Sequence, residues 1–155
     1  MRYEYAVNVF VFNTDYTALL FVERKKPPFK GQLLPPGGHV ESGEIPTACA
    51  RREVKEETGL TVDILDFRPG LPIVLDSDTV RLPSPIHVQV EHIDKEHRHI
   101  DFVFVGELNG SGDEIPSKFQ KAGVRWMTLN EIKAAKMPRN VKDLSIYLFR
   151  YRQGE

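Results

Sequence analysis

The chain has 155 residues, of which 41% are hydrophobic and 28% are charged, a composition typical of one globular domain with a sizeable buried core. Its 21 Lys and Arg residues nearly balance 22 Asp and Glu residues, and the net charge of −1 excludes the broad basic surface that holds a nucleic-acid polymer. The sequence shows no apolar signal segment and no run near the ~18 apolar residues of a membrane span, and its single Cys49 excludes an internal disulfide, so we expect a cytoplasmic protein without a membrane partner.

The N-terminal third of the chain predicts two strands, a loop and a helix. Residues 3–12 are apolar and β-rich, and the Asn-Thr-Asp sequence after them is typical of a turn that leads into a return strand at 18–23. Residues 24–36 form a basic, proline-rich loop. The helix begins near Pro46, a favourable first-turn residue, and ends before Gly59, a common helix stop.

Beyond the helix, short β-rich stretches alternate with polar connections. We predict strands at 62–67, 71–75, 86–93, 100–108 and 124–127, with the third and fourth of these forming a hairpin. Loops are expected at 76–85 and 109–123, a short helix at 129–136, and an amphipathic helix at 138–152. This order of elements predicts an α+β or mixed α/β fold.

Three glutamates on the internal helix carry the clearest chemical signal. Glu53, Glu56 and Glu57 are spaced i, i+3, i+4, so they project from one helical face. Like charges at i, i+4 cost about 0.2–0.5 kcal/mol, and a bound hard cation such as Mg²⁺, which prefers oxygen ligands, would relieve this repulsion. The alternative is a solvated charged helix in which Arg52 pairs with Glu56, but the basic residues largely occupy a separate side, which favours a functional carboxylate face.

The surrounding segment resembles the signature of the Nudix hydrolases. Every fixed position of that signature is filled, by Gly38, Glu44, Arg52, Glu53, Val54, Glu56, Glu57, Gly59 and Leu60. The resemblance implies a single α/β domain over 1–155, built as an α/β/α sandwich with a mixed β-sheet. It also implies a metal-dependent enzyme, a pyrophosphohydrolase that cleaves the diphosphate linkage of a nucleoside diphosphate joined to another group.

The same resemblance implies roles for individual residues. Glu53, Glu56 and Glu57 are expected to bind Mg²⁺ or Mn²⁺ together with the backbone carbonyl of Gly37. Glu53 is also expected to orient the attacking water or to act as the base. Arg52 is grouped with Glu53 as a catalytic residue and is expected to position the carboxylates.

The expected partner is a small nucleotide substrate, and a homodimer is the assembly we consider. Arg24 is a candidate for contacting substrate phosphates, Phe29 for stacking on a base, and Gly38 for letting the ligand approach the backbone closely. The alternative for the basic stretch is a solvated loop. The substrate markers that some relatives carry outside the signature are missing here, so the organic group of the substrate stays open.

Three alternatives concern the chemistry itself. Some relatives place the base in a downstream loop, which makes Asp113 and Glu114 candidates beside Glu53. The sequence from His97 through His99 to Asp101 has a His-x-His-x-Asp spacing that also occurs in zinc hydrolases, and on a strand these side chains would share a face. They could instead contact the polar part of a substrate or simply begin a polar strand.

The alternative function is a nucleotide-sensing domain that keeps the fold without turnover.

Overall fold

The structure is a computed structural model, and it describes residues 1–72, 76–110, 112–152 and 154. Its strands are β1 (Arg2–Phe12), β2 (Ala18–Glu23), β3 (Leu33–Leu34), β4 (Gly37–His39), β5 (Val62–Ile64), β6 (His87–His92), β7 (His97–Leu108) and β8 (Val124–Thr128). Its helices are α1 (Pro46–Thr58), α2 (Ser117–Lys121), α3 (Leu129–Ala134) and α4 (Arg139–Arg152).

The long strands β1 and β7 form the centre of an eight-stranded sheet. They run parallel, in a register that extends from Arg2 opposite His97 to Phe12 opposite Glu107. The other strand pairs in the described ranges are antiparallel: β2 and β4 pair with β1, β5 and β6 pair with β7, and β3 and β8 pair with β2. The sheet is therefore mixed, as the family resemblance predicted.

Alternating side chains of the central strands fill two cores, one on each face of the sheet. Val7, Val9 and Val11 of β1 point into the first core, where α1 contributes Cys49, Ala50 and Val54. Phe10 and Phe12 point into the second core, where α3 and α4 contribute Ile132, Val141, Leu148 and Phe149. Helices thus cover both faces, which confirms the predicted α/β/α sandwich. None of the helices in the described ranges has the length and apolar character that a membrane crossing requires.

Some predicted strand limits were wrong. The strand predicted at 62–67 ends at Ile64, because the following residues form a loop in which the Asp66 carboxylate accepts hydrogen bonds from Arg81 and from the Ser84 N–H. In the strand predicted at 71–75, the first two residues are not in a strand, and 73–75 lie outside the described residues. Strand β7 begins at His97, earlier than the predicted residue 100, because β1 pairs with it from His97 and β6 pairs with it from Arg98.

Strand β4 was not predicted, and it builds one wall of the site described below. No element was predicted for its glycine-rich sequence, yet it pairs with β1, with Gly37 opposite Asn8 and His39 opposite Ala6. A Cβ atom at Gly37 would lie 2.1 Å from the Val7 carbonyl oxygen, so only glycine permits this close pairing.

Candidate active site

Helix α1 presents the signature carboxylates on the face next to β4. The helix begins at Pro46 and stops before Gly59, which adopts a left-handed φ of 76° and donates its N–H to the Lys55 carbonyl. The apolar face of the helix packs into the core, so the helix cannot rotate without exposing it. Glu53 and Glu57, one turn apart, are thereby held beneath the glycines of β4.

The backbone of β4 lies directly against these two carboxylates. The Gly37 N–H donates a hydrogen bond of 3.2 Å to Glu57 Oε1. A Cβ atom at Gly38 would lie 2.4 Å from the Glu53 carboxylate, so the absence of a side chain at this position gives that carboxylate its space. The structure therefore brings together Gly37, Gly38, Glu53 and Glu57, as the resemblance predicted, while their individual roles stay predictions.

Burial governs the protonation of these carboxyl groups. It raises the pKa of Glu57 to about 7, a shift that the Gly37 N–H opposes and the neighbouring Glu53 reinforces. Burial also raises the pKa of Glu53, against the effect of the hydrogen bond from Arg52. Because a cation nearby would favour both charged forms, this pair of oxygen donors fits a hard divalent cation.

Arg52 connects the signature loop to the helix. Its Nε and Nη2 donate to the two oxygens of Glu44 at 2.7 and 2.9 Å, and its Nη1 donates to Glu53 at 2.9 Å. This pairing lowers the pKa of Glu44 to about 2 and raises the pKa of Arg52. A further bond from Arg52 Nη2 reaches the carbonyl of His39 at 3.1 Å. Arg52 is thus bonded both to Glu44 of the signature loop and to Glu53 of the helix, which agrees with a positioning role.

Glu56 stands apart from the other two signature glutamates. Its side chain is 59% exposed, and its carboxylate accepts from Arg52 Nη1 at 3.2 Å. Among the described residues, the carboxylates of Glu53, Glu56 and Glu57 do not all converge within 4.8 Å. To share a cation with the other two, Glu56 would have to turn away from Arg52, so its predicted role as a ligand stays a prediction.

A cavity of about 720 Å³ opens above Glu57. One side is formed by the loop after β2 and by β4, which place Arg24, Phe29 and Gly38 in its lining. The positive charge of Arg24 lowers the pKa of Glu57, against the larger effect of burial, which shows that the two groups interact. The residues predicted to bind substrate therefore share one cavity with a predicted metal ligand.

The opposite wall of the cavity consists of polar residues that the sequence analysis did not single out. Gln89 Nε2 donates to Asp101 Oδ2 at 3.1 Å, and Asn140 Nδ2 donates to Gln89 Oε1 at 3.3 Å. Burial, together with contact with Asp101, raises the pKa of Glu91 to about 7. The predicted hairpin could have identified Gln89 and Glu91, because residues of β6 that lie opposite His99 and Asp101 must share their face of the sheet.

The downstream acids lie away from this cavity. Backbone and side-chain groups of Thr14 donate to the Asp113 carboxylate, and Trp126 Nε1 donates to the Asp113 carbonyl at 2.7 Å. Glu114 is exposed, and neither acid belongs to the cavity lining. Glu53 does not line the cavity either, but its carboxylate lies directly against Gly38, which does. The role of Glu53 as the base stays a prediction.

The His-x-His-x-Asp segment lies in the cavity wall, where its three side chains share one face of β7. Within the described part of the chain, these three groups do not themselves converge as a metal-binding set. Potential ligand atoms instead converge across strands, as Glu4 with His39 and His99, and as Glu91 with His99 and Asp101. Burial and the neighbouring His39 lower the pKa of His99.

An α/β/α sandwich in which a carboxylate-bearing helix lies against a glycine-rich strand defines a class of fold that can be compared with known proteins. A family model described as the NUDIX domain matches residues 2–147. The chain belongs to the Nudix family.

Individual relatives agree with this assignment. The chain is 32% identical over 110 residues to a "Probable DHNTP pyrophosphohydrolase" of Lactococcus lactis, a match that covers 71% of this chain and 57% of the relative. It is 52% identical over 42 residues to an "ADP-ribose pyrophosphatase" of Methanocaldococcus jannaschii, covering 27% of this chain and 25% of the relative. The chain therefore spans little more than half of the first of these curated relatives and a quarter of the second. The crystal structure of a Nudix-family hydrolase from Clostridium perfringens superposes with a TM-score of 0.76 at 25% identity, covering 97% of this chain and 99% of that one.

Proposed function

We propose that this chain is a pyrophosphohydrolase that uses Mg²⁺ or Mn²⁺ to cleave a phosphoanhydride bond in a small nucleotide derivative. The observation that carries the proposal is the placement of the partly buried Glu53 and Glu57 carboxylates against the β4 glycines, with Glu57, Gly37, Gly38 and Arg24 all lining one cavity. Both curated relatives are named for hydrolysis of a diphosphate linkage, and this supports the same bond class here.

In this proposal Glu57 and Glu53 would hold the cation together with the Gly37 carbonyl, and Glu56 would be the further carboxylate ligand. When bound, the cation supplies positive charge that offsets the negative charge developing on the phosphate oxygens. Glu53 would orient the attacking water and accept its proton, because it is partly buried, lies one turn from Glu57 and is fixed in position by Arg52.

The rest of the cavity would recognise the substrate. Arg24 is placed to contact a phosphate group, and Phe29, which is 37% exposed, offers a face on which a base can stack. On the opposite wall, the amides of Gln89 and Asn140 and the carboxyl of Glu91 present hydrogen-bonding groups to the organic part of the substrate. The two relatives differ in their named substrates, so the organic group must be found by experiment.

A hydrolysis screen tests this function. Nucleoside triphosphates, ADP-ribose, nucleotide sugars and dinucleoside polyphosphates are incubated with the protein and Mg²⁺, with and without a chelator, and the products are identified. We expect cleavage between two phosphates of at least one substrate class and complete loss of activity in the chelator. Binding without turnover would instead favour a nucleotide-sensing domain, and turnover that survives chelation would refute the role of the cation.

A second experiment assigns the base. Under saturating Mg²⁺, Glu53→Gln should lower the rate by roughly 100-fold or more, the scale of losing a positioned acid–base group. Asp113→Asn and Glu114→Gln are the matched controls, and we expect them to retain most of the activity. If Glu114→Gln abolishes turnover while added metal rescues Glu53→Gln, the base lies in the downstream loop and Glu53 is only a ligand.

A further inference from the structure

Strands β4, β1 and β7 bring the ligand atoms of Glu4, His39 and His99 to one point at the cavity wall, and a fourth side chain, His97, lies next to Glu4. Glu4 lies opposite His99 in the parallel β1–β7 register, and His97 lies two residues before His99 on the same face of β7. His39 is contributed by β4, from the far side of β1. This cluster is separate from the carboxylates of α1 and differs from them in chemistry, because three of its four members are imidazoles.

The ligand atoms of the cluster have the spacing of a metal site. His39 Nε2 lies 2.9 Å from His99 Nε2 and 3.6 Å from Glu4 Oε2. In tetrahedral coordination, Zn–N and Zn–O bonds of about 2.0–2.2 Å place neighbouring ligand atoms roughly 3.3–3.5 Å apart. These two distances bracket that value, and all three atoms lie within 4.8 Å of one another, so modest side-chain shifts would bring them to coordination distance.

His97 supplies an independent observation. Its Nε2 is buried and, although it lies 2.9 Å from Glu4 Oε1, it forms no hydrogen bond of acceptable geometry with any described residue. A buried ring nitrogen that lacks a hydrogen bond destabilises the folded state, so such an atom usually has a partner in a native structure. The nitrogen faces Oε1 of the carboxylate whose Oε2 faces His39, and it lies outside the three atoms that converge within 4.8 Å, so His97 would shift to join a cation held by Glu4.

We propose that Glu4, His39 and His99, with His97 as a fourth ligand, form a binding site for a transition metal ion of the Zn²⁺ class. Imidazole nitrogens with one carboxylate select such ions, whereas Mg²⁺ prefers an all-oxygen set such as the one on α1. The alternative set that shares His99 is less favourable, because it contains one imidazole against two carboxylates and because Asp101 already accepts a hydrogen bond from Gln89. The proposal does not depend on the proposed hydrolysis.

A bound ion would tie β4 to β1 and β7. Since β4 carries the two glycines that contact Glu53 and Glu57, the ion would stabilise the wall of the active site without contacting those carboxylates. Binding to the folded state alone raises the apparent stability of the protein, which gives a readout independent of activity.

The test is a calorimetric titration of the metal-free protein with Zn²⁺ in the presence of excess Mg²⁺, together with thermal unfolding at each metal concentration. We expect one saturable Zn²⁺ per chain and a rise in melting temperature. His99→Gln and Glu4→Gln should each weaken Zn²⁺ binding by more than about 100-fold, since even loss of a residue that only supports a ligand costs about 10–100-fold. Glu4→Gln is a conservative change at a partly exposed position, so it keeps the test valid if His99→Gln folds poorly.

Three matched variants separate this site from its neighbours. His92→Gln changes an exposed histidine at the end of β6, Glu91→Gln removes a member of the alternative set, and Glu57→Gln removes a proposed magnesium ligand. All three should bind Zn²⁺ as the unmodified protein does. Absence of saturable binding, or binding that survives both His99→Gln and Glu4→Gln, would overturn the proposal, and so would loss of binding in Glu91→Gln. Zinc binding with no hydrolysis would refute the proposed function alone.

Discussion

Gly38 has no room for a side chain, because the Glu53 carboxylate fills the space beside its α-carbon. The obstructing atoms are the far end of a flexible side chain, so a methyl group at this position would displace Glu53 while leaving the backbone in place. Gly37 differs, since its obstruction is the backbone carbonyl oxygen of Val7. Two adjacent glycines are therefore needed for different reasons, one to shape the site and one to pair the strands.

We predict that Gly38→Ala lowers turnover by about tenfold or more with little change in the free energy of unfolding. The reason is the displacement of a positioned catalytic group. Steady-state kinetics and urea unfolding measure the two quantities. Gly70→Ala is the control, because nothing lies within 4 Å of a Cβ at that position. Gly37→Ala, in contrast, should clearly lower the free energy of unfolding, because its Cβ would meet the Val7 backbone. Full activity in Gly38→Ala would contradict the assigned contact with Glu53.

The pairing of Glu44 with Arg52 makes a second prediction at the residue scale, on acid stability. Because the folded pKa of Glu44, about 2, lies below its ordinary value of 4.5, its contribution to stability is present above pH 4.5 and is lost as the pH falls towards 2. Glu44→Gln should therefore lower stability at neutral pH and flatten the acid limb of the stability curve, as measured by urea unfolding at several pH values. Glu41→Gln is the matched control, since its exposed carboxylate lies 3.7 Å from Arg52. Parallel acid limbs for Glu44→Gln and the unmodified chain would refute the coupling.

At the scale of elements, the end of α1 depends on packing as well as on local conformation. Gly59 combines a left-handed φ of 76° with a close neighbour, because a Cβ there would lie 2.6 Å from the Phe119 ring of α2. The short helix α2 was not predicted, since its five residues are too few to give a periodic signal. It nevertheless covers the point where the carboxylate helix ends.

We predict that Gly59→Ala destabilises the fold by about 1–3 kcal/mol, the cost of a strained left-handed residue, with an added cost from moving Phe119. Gly112→Ala, at a position with no neighbour within 4 Å, should change stability by less than about 0.5 kcal/mol. Urea unfolding of both variants provides the comparison. Equal stability of the two would show that the helix end adapts freely.

At the scale of the whole molecule, the cavity exists only because distant parts of the chain meet. The loop after β2 supplies Arg24, β6 supplies Glu91 and the first turn of α4 supplies Asn140, while α1 supplies the floor. Arg24 lines the same cavity as Glu57 and Glu91, and its positive charge acts to lower the pKa of both. Such a position suits a group that orients a substrate across the cavity.

We therefore predict that Arg24→Ala raises KM by about tenfold or more while changing kcat little, because a hydrogen bond to a charged group contributes about 1.5–3 kcal/mol. Lys30→Ala removes a nearby positive charge that lies outside the cavity lining, and it should leave KM unchanged. Steady-state kinetics on the substrate found in the screen measures both. An equal rise of KM in the two variants would indicate general electrostatic attraction instead of a specific contact.

The sequence by itself determined the family, the fold class and the carboxylate helix. All of these follow from local information: the signature occupies consecutive residues, and an i, i+3, i+4 spacing defines a helical face wherever the helix lies. Pro46 and Gly59 likewise mark the ends of α1 through backbone preferences that belong to single residues.

Only the tertiary structure decided which residues surround that helix. Glu4 lies next to His99 because β1 pairs with β7, two strands that are far apart in the sequence. His39 joins them because β4, whose glycine-rich sequence favours a loop, pairs with the other edge of β1. The polar wall around Glu91 depends on the β6–β7 register, and a shift of one residue would turn it to the other face. Strand register and close backbone packing depend on how side chains from the whole chain pack in the core, so no local pattern in the sequence could specify them.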